Sequence, residues 1–379
     1  MLKDAQTLGE LCLAGAGNYR SRKALELCRG DRLLQTVSFR ALARRSCQLA
    51  GLFRSLGLKR GDRVMILAEN RPEWPIAAFG IALMGAVLLP AVPQPPAEGA
   101  DHIRGLGETV KALCVTGGTG GLASALKPEL PRIYLDSAVF PGDRGQAGIQ
   151  VSMGGVSKRL PLPWGETPPE TGETDETAVL WPDGTESSHR ELLSLARGPS
   201  LPRIFPRDRI FPLSSLAEKG TLVLGILAAI MGGASLSLSM PEKISGDFPG
   251  EILQSGELPR IMELLRPSVL IGDTAFLEAL YRDKAAPTAE GPLSRNLITR
   301  PLAQYLGGRE LIKALGGNVR FFGFTGTPGE KLEKVLGRVH LPRGRIVPTG
   351  PSKAAPAGAP RGKVGRFREH QNQERGVTE

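Results

Sequence analysis

One unit recurs in this sequence and narrows the folds open to it: an apolar helix, a glycine turn and a short apolar strand. Trp74 to Met84 has helical character and Gly85 to Pro90 reads as a strand. Leu222 to Met231 is again helical, Gly232 and Gly233 turn the chain, and Ala234 to Leu238 suits a strand. Strands that are apolar on both faces need cover on both. The expected fold class is therefore α/β, in two lobes with largely parallel sheets covered by helices.

Other segments fit this scheme. Ser38 to Gly57 carries apolar residues at helical spacing, with Ser38 as N-cap and Gly57 as terminator, and Arg63 to Ala68 reads as a buried strand. Pro259 to Leu265 and Thr274 to Lys284 are helical on either side of the strand Ser268 to Gly272. Gly308 to Leu315 then predicts a helix and Val319 to Phe324 a strand. The boundaries drawn are a first lobe over 1–140, a linker or hairpin region over 141–177, a second lobe over 178–345 and a poorly ordered remnant and tail over 346–379. At 379 residues the chain exceeds what one core usually serves.

The net charge of +10 raises the question of nucleic acid, but acidic residues are interspersed almost everywhere. The most basic stretch, Arg203 to Arg209, has no aromatics at stacking intervals, so no nucleic-acid partner is expected. Cys12, Cys28, Cys47 and Cys114 form no C-x-x-C pair, and His102, His189, His340 and His370 have no ligand-like spacing with them. Neither a metal site nor a disulfide framework is expected. The first residues carry Asp4 and no apolar leader follows, which points to the cytoplasm. Trp74 to Ala97 is broken by prolines and Gly220 to Pro241 by Gly232-Gly233, so no transmembrane span is expected and Thr221 to Ser239 should be buried in the second lobe. Peripheral membrane contact and a protein partner stay open.

Between Val37 and Pro90 the residues become specific. Ser38 to Arg45, Leu52 to Val64, Asn70-Arg-Pro-Glu-Trp74 and Met84 to Val87 together resemble the opening of acyl-CoA synthetases. Phe211 to Lys219 resembles the P-L-S-H-x-x-E-R segment of the long-chain branch, with Ser215 in place of histidine and Lys219 in place of arginine. Leu264 to Gly272 and Phe276 to Tyr281 resemble that branch's R-P-T-x-x-x-G-V-P-R-x-x-E-x-x-Y region. The chain is thus identified as a truncated, degenerate member of the adenylate-forming superfamily, in its long-chain fatty acid–CoA ligase branch.

The resemblance implies ATP, Mg2+ and CoA as cofactors and a fatty acyl ligand. It also shows departures. The family's triphosphate loop, T-S-G-T-T-G-x-P-K-G, corresponds to Pro182 to Ser188, which is shorter, lacks lysine and adds Asp183 and Glu186; Gly184 and Thr185 are its remnant. Gly326, Thr327 and Pro328 match the adenine-side turn, and Thr349 survives from Y-G-x-T-E. Ile346 replaces that motif's tyrosine and Gly350 its Mg2+-binding glutamate. Ser215 and Glu218 mark the acyl-site segment. After Gly362 to Arg366, the ribose-binding aspartate and a lid with its catalytic lysine are expected, and the chain ends at Glu379.

These departures lead to the expectation of a non-catalytic descendant with no assignable catalytic residue, either a lipid-binding or protein-interaction module or the eroded product of a decaying gene. The alternative is a residual or partner-complemented fatty acyl-CoA synthetase. Three further features invite functional readings. Thr116-Gly-Gly-Thr-Gly-Gly121 follows a strand but lacks a phosphate-loop lysine, His189 suits a helix start, and Ser214-Ser215 lack a G-x-S-x-G elbow.

Overall fold

The computed structural model describes residues 2, 4–93, 109–123, 129–140, 147–163, 172–239, 257–325 and 328–345. The first helix, α1 (Leu8–Tyr19), is capped by the Thr7 hydroxyl, which accepts the Glu10 N–H at 3.1 Å. Two strands follow, β1 (Lys23–Arg29) and β2 (Arg32–Ser38), and Ser38 then caps α2 (Phe39–Ser55) through the Ala41 N–H at 3.2 Å. Next come β3 (Arg63–Leu67), α3 (Glu73–Leu83), β4 (Val87–Ala91), β5 (Val110–Val115) and the short α4 (Gly120–Ala123).

The segment expected to be a linker or hairpin holds a hairpin, β7 (Gly148–Met153) and β8 (Val156–Leu160), preceded by β6 (Arg132–Val139). β9 (Thr177–Leu180) and β10 (Glu186–Ser188) lead into α5 (His189–Arg197). β11 (Arg209–Pro212) precedes α6 (219–232), whose middle widens to a π-helix over Leu222–Ala228 before β12 (Ser235–Ser239). The last part holds α7 (Leu258–Leu265), β13 (Val269–Asp273), α8 (274–289), α9 (Arg300–Ala314), β14 (Phe321–Thr325), α10 (Glu330–Arg338) and β15 (Arg343–Arg345).

The strands make two sheets. The first has the order β10-β9-β4-β3-β5-β6-β7-β8 and is parallel from β9 to β6, with antiparallel strands at its flanks. The second has the order β15-β14-β13-β11-β12-β1-β2 and is parallel throughout except for β2. The α/β class with largely parallel sheets follows directly.

The boundary between sheets does not follow the chain positions expected. Residues 23–38 leave the first sheet and join the second, because β1 pairs in parallel with β12 and covers an edge that would otherwise stay open. The hairpin at 148–160 and the strands at 177–188 complete the first sheet.

Alternation along the strands builds three apolar layers. Val64 and Ile66 of β3, with Val269 and Ile271 of β13, face a middle layer formed with α1, α2, α3, α5 and α6. Met65, Leu67, Leu89 and Leu113 face outward from the first sheet. Leu270, Phe211 and Phe322 face outward from the second, under α7, α8, α9 and α10. Leu222 to Ile230 is fully buried, and no helix among the described residues is long and apolar enough to cross a membrane.

Candidate functional site

In an open α/β sheet, side chains gather usefully where consecutive connections leave adjacent strands in opposite directions, beyond the strands' carboxyl ends. The second sheet has such a place between β11 and β13, because the chain passes from β11 to β12 on one side and returns to β13 on the other. Loop 213–218 forms one wall. It is held from the first lobe by buried Asn70, whose Nδ2 donates to the Ser214 carbonyl at 2.9 Å and whose Oδ1 accepts the Leu216 N–H at 2.8 Å. The Ser214 and Thr221 hydroxyls lie 2.6 Å apart, both buried.

Ser215 and Glu218 both belong to this wall. The Ser215 hydroxyl accepts the Ala217 N–H at 3.2 Å, and its carbonyl accepts the Glu218 N–H at 3.1 Å. Burial pushes the Glu218 carboxyl above the usual carboxylate range and the charge of Asp273 pushes it further, against a backbone bond at Ser215. Asp273 ends β13 and caps α8 by accepting the Phe276 N–H at 2.7 Å. β14 pairs beside it, with Thr325 in register with Asp273, so buried Pro328 lies just beyond the carboxyl end of the next strand. Gly326, Thr327 and Thr349 lie outside the described residues, as do Ile346, Gly350 and 362–366.

Lys219 joins this wall to the first sheet. Its ammonium is 2.8 Å from Glu191 of α5 and 5.7 Å from the Trp181 ring, and its charge acts on Asp183. Lys219 thereby links the two segments in which the sequence places the phosphate and acyl candidates.

The segment matched to the phosphate loop from sequence is a closed β-turn. The Trp181 N–H donates to the Thr185 carbonyl at 2.8 Å, and the Gly184 N–H returns to the Trp181 carbonyl at 2.9 Å. Pro182 suits the second turn position, Asp183 the third, and Gly184 takes φ +84° before β10 begins. The Asp183 carboxylate accepts both the Thr185 N–H, at 2.9 Å, and its hydroxyl, at 2.6 Å. The hydroxyl bond is the main cause holding that carboxyl below its usual range. Glu186 is not at this turn: it lies on β10, accepts the Thr177 hydroxyl at 2.7 Å and stands 3.8 Å from Arg63.

A phosphate cradle needs several N–H groups aimed outward. Here Pro182 has none, and those of Gly184 and Thr185 bond within the turn. The P-D-G signature in the sequence was the available signal for the turn.

The remaining candidates resolve into structure. The His189 ring is buried, and its Nδ1 accepts the Leu8 N–H at 3.2 Å, satisfying the start of α1. Burial pushes its pKa down to about 4, against the charges of Glu176 and Glu10. Thr116 and Thr119 bond each other, and the Thr119 hydroxyl donates to the Leu67 carbonyl at 2.7 Å, making the glycine-rich segment a local turn. In the basic stretch, burial works to raise the Asp208 carboxyl, but bonds from Arg320, the Phe205 N–H and Ser268 hold it down. Arg203, Arg207 and Arg320 stand 5.2, 5.8 and 5.4 Å from the Phe205 ring. No group of three or more potential metal ligands occurs among the described residues.

Residues 6–180 match the family model of the AMP-binding enzymes, and the match ends at Leu180, just before the closed turn. Over 77 residues, 20% of this chain, the sequence is 39% identical to the crotonobetaine/carnitine–CoA ligase of Salmonella arizonae; those residues span 14% of that relative. The fold is similar to that of the fatty acyl-adenylate ligases from E. coli and L. pneumophila, with TM-score 0.62, 18% identity, and coverage of 90% of this chain and 56% of that one. It is also similar to a putative long-chain-fatty-acid CoA ligase from Rhodopseudomonas palustris, with TM-score 0.58, 18% identity, and coverage of 89% and 73%.

Proposed function

We propose that this member of the AMP-binding enzyme family, related to acyl-CoA ligases, is a non-catalytic descendant of the long-chain branch whose β9–β10 turn no longer accepts ATP. The observation that carries this reading is the closure of Trp181 to Thr185 on itself. Opening it would break two backbone bonds and the Asp183 contacts. It would also place a carboxylate near incoming phosphate, and like unit charges about 4 Å apart repel by ~4 kcal/mol at the effective dielectric of a protein surface. The nearby cation, Lys219, is already engaged by Glu191.

The long-chain assignment rests on Phe211 to Lys219 and Leu264 to Gly272, and the retained lobes would serve as a lipid-binding or protein-interaction module. Gly350 in place of the family's Mg2+-binding glutamate supports the same reading. The competing reading, residual acyl-CoA synthesis with ATP, Mg2+ and CoA, draws on the retained crevice where Glu218 faces the charge of Asp273.

Titration calorimetry with Mg·ATP on the whole chain separates the two. The expected outcome is no saturable binding with Kd below about 1 mM, the level at which binding supplies about 4 kcal/mol. Saturable binding with palmitate-dependent pyrophosphate exchange overturns the proposal.

A further inference from the structure

Six of the eleven large, exposed hydrophobic side chains among the described residues fall within fourteen positions: Leu293, Leu297, Ile298, Leu302, Tyr305 and Leu306. Leu297 and Ile298, in the connection between α8 and α9, are 76% and 85% exposed. Scattered surface leucines need no explanation, but a concentration of this kind does.

The packing of α9 shows that these residues are not displaced core. Its inner face is Ala303, Gly307, Gly308 and Leu311, all buried. A Cβ on Gly307 would lie 2.6 Å from the Ala289 Cβ of α8, and one on Gly308 would strike Val339 beyond α10. The two glycines seat α9 closely against its neighbours and fix which face is inside. Leu302, Tyr305 and Leu306 therefore remain at three- and four-residue spacing on the exposed face, and Leu297 and Ile298 are exposed in the turn just before it.

Charge indicates what covers this surface. From Gly291 to Arg309 the sequence has Arg295, Arg300 and Arg309 and no acidic residue. All three arginines are exposed. At the edges, Glu290 is engaged by Lys331 at 2.6 Å and by the Tyr281 hydroxyl at 2.7 Å, while exposed Glu310 follows Arg309 and Lys313 lies one turn beyond Arg309.

We propose that the segment 293–309 is a membrane-docking surface, with Leu297 and Ile298 entering the outer acyl layer while Arg295, Arg300 and Arg309 meet anionic lipid headgroups. Apolar side chains flanked by cations match a bilayer surface, apolar within and negative at its boundary. The contact is peripheral and independent of whether ATP binds.

Co-sedimentation of the full chain with vesicles of phosphatidylcholine alone, or of phosphatidylcholine and phosphatidylserine in equal parts, tests this. Binding is expected to be stronger to the anionic vesicles and to weaken with salt. Leu297→Ser with Ile298→Ser should lower partitioning by about tenfold or more on anionic vesicles, from the loss of two inserting side chains. Arg295→Gln with Arg300→Gln should lower it on anionic vesicles while leaving phosphatidylcholine binding unchanged. Thermal melts of both variants are expected to match the parent, since every substituted side chain is exposed.

Equal partitioning of the parent and the Leu297/Ile298 variant, or no binding by the folded parent, overturns the proposal. So does a dimer in sedimentation equilibrium that the Leu297/Ile298 substitutions dissolve, which would assign the surface to a second copy.

Discussion

The two sheets contain the same reversal of connectivity and use it differently. In the first, the chain leaves β3 for β4 and returns to β5; in the second, it leaves β11 for β12 and returns to β13. Beyond β3 and β5, the charged groups Glu69, Arg71 and Glu73 are paired locally. The Thr116 hydroxyl donates to Glu69 at 2.7 Å, and Arg71 reaches Glu73 at 2.8 Å and Glu69 at 3.4 Å. Beyond β11 and β13, Glu218 and Asp273 form no ion pair among the described residues, and burial raises the Glu218 carboxyl. The same reversal thus carries a bonded polar joint in one place and, in the other, two carboxylates, Glu218 and Asp273, with no ion-pair partner among the described residues. Topology supplies the location, and side-chain chemistry decides its use.

The comparison breaks most directly at Asn70, which follows β3 in the first lobe yet bonds the loop that walls the second crevice. Asn70→Ala leaves the Ser214 carbonyl and the Leu216 N–H without these partners. Buried groups stranded in this way cost ~1–3 kcal/mol each, so a destabilisation on the order of 4 kcal/mol is expected. Urea melts measure it. A change below about 1 kcal/mol would mean that the two lobes are joined mainly by apolar packing.

A somewhat smaller effect tests whether the hydrogen-bonded first-sheet edge is structural throughout. His189 is buried neutral, with its pKa depressed from 6.5 to about 4. Between those values the unfolded chain binds a proton that the folded chain refuses. Stability from this group is therefore complete above about pH 6.5 and is lost as pH falls towards about 4, by an amount on the order of 3 kcal/mol. His189→Asn cannot take up that proton and should flatten the acid limb of stability against pH. An unchanged slope would assign the acid sensitivity elsewhere.

The sequence was legible where local and tertiary preferences agree. The helix-glycine-strand units appear within three residues of their expected positions, because helices and strands buried on every side are apolar throughout. β1 was missed, since Glu26 interrupts its apolar run. That carboxylate is 1% exposed and is satisfied by Arg209 at 3.0 Å and Ser237 at 3.0 Å, partners about 180 and 210 positions away. α9 begins at Arg300 rather than Gly308 because apolar residues on its exposed face hide the amphipathic period. At the candidate site, the sequence indicated that Pro182 to Ser188 is too short for a triphosphate loop. It did not indicate the bonds that close the turn, which depend on Thr185 facing Trp181 across the hairpin.

The smallest expected effect concerns the role of Gly184 in the closed turn. In a phosphate loop, glycine serves close approach of the backbone to a ligand; at Gly184 the structure gives it a conformational duty instead, with φ +84° and nothing within 4 Å of where a Cβ would stand. Gly184→Ala meets no steric neighbour, so its penalty is the left-handed backbone alone, ~1–2 kcal/mol. Asparagine adopts that conformation more readily than alanine, so Gly184→Asn should recover a large part of the loss. Urea melts of the two variants against the parent distinguish the roles. Equal losses for alanine and asparagine would show that φ is not what constrains position 184, and the closed turn would then fail as support for the proposal that this segment no longer accepts ATP.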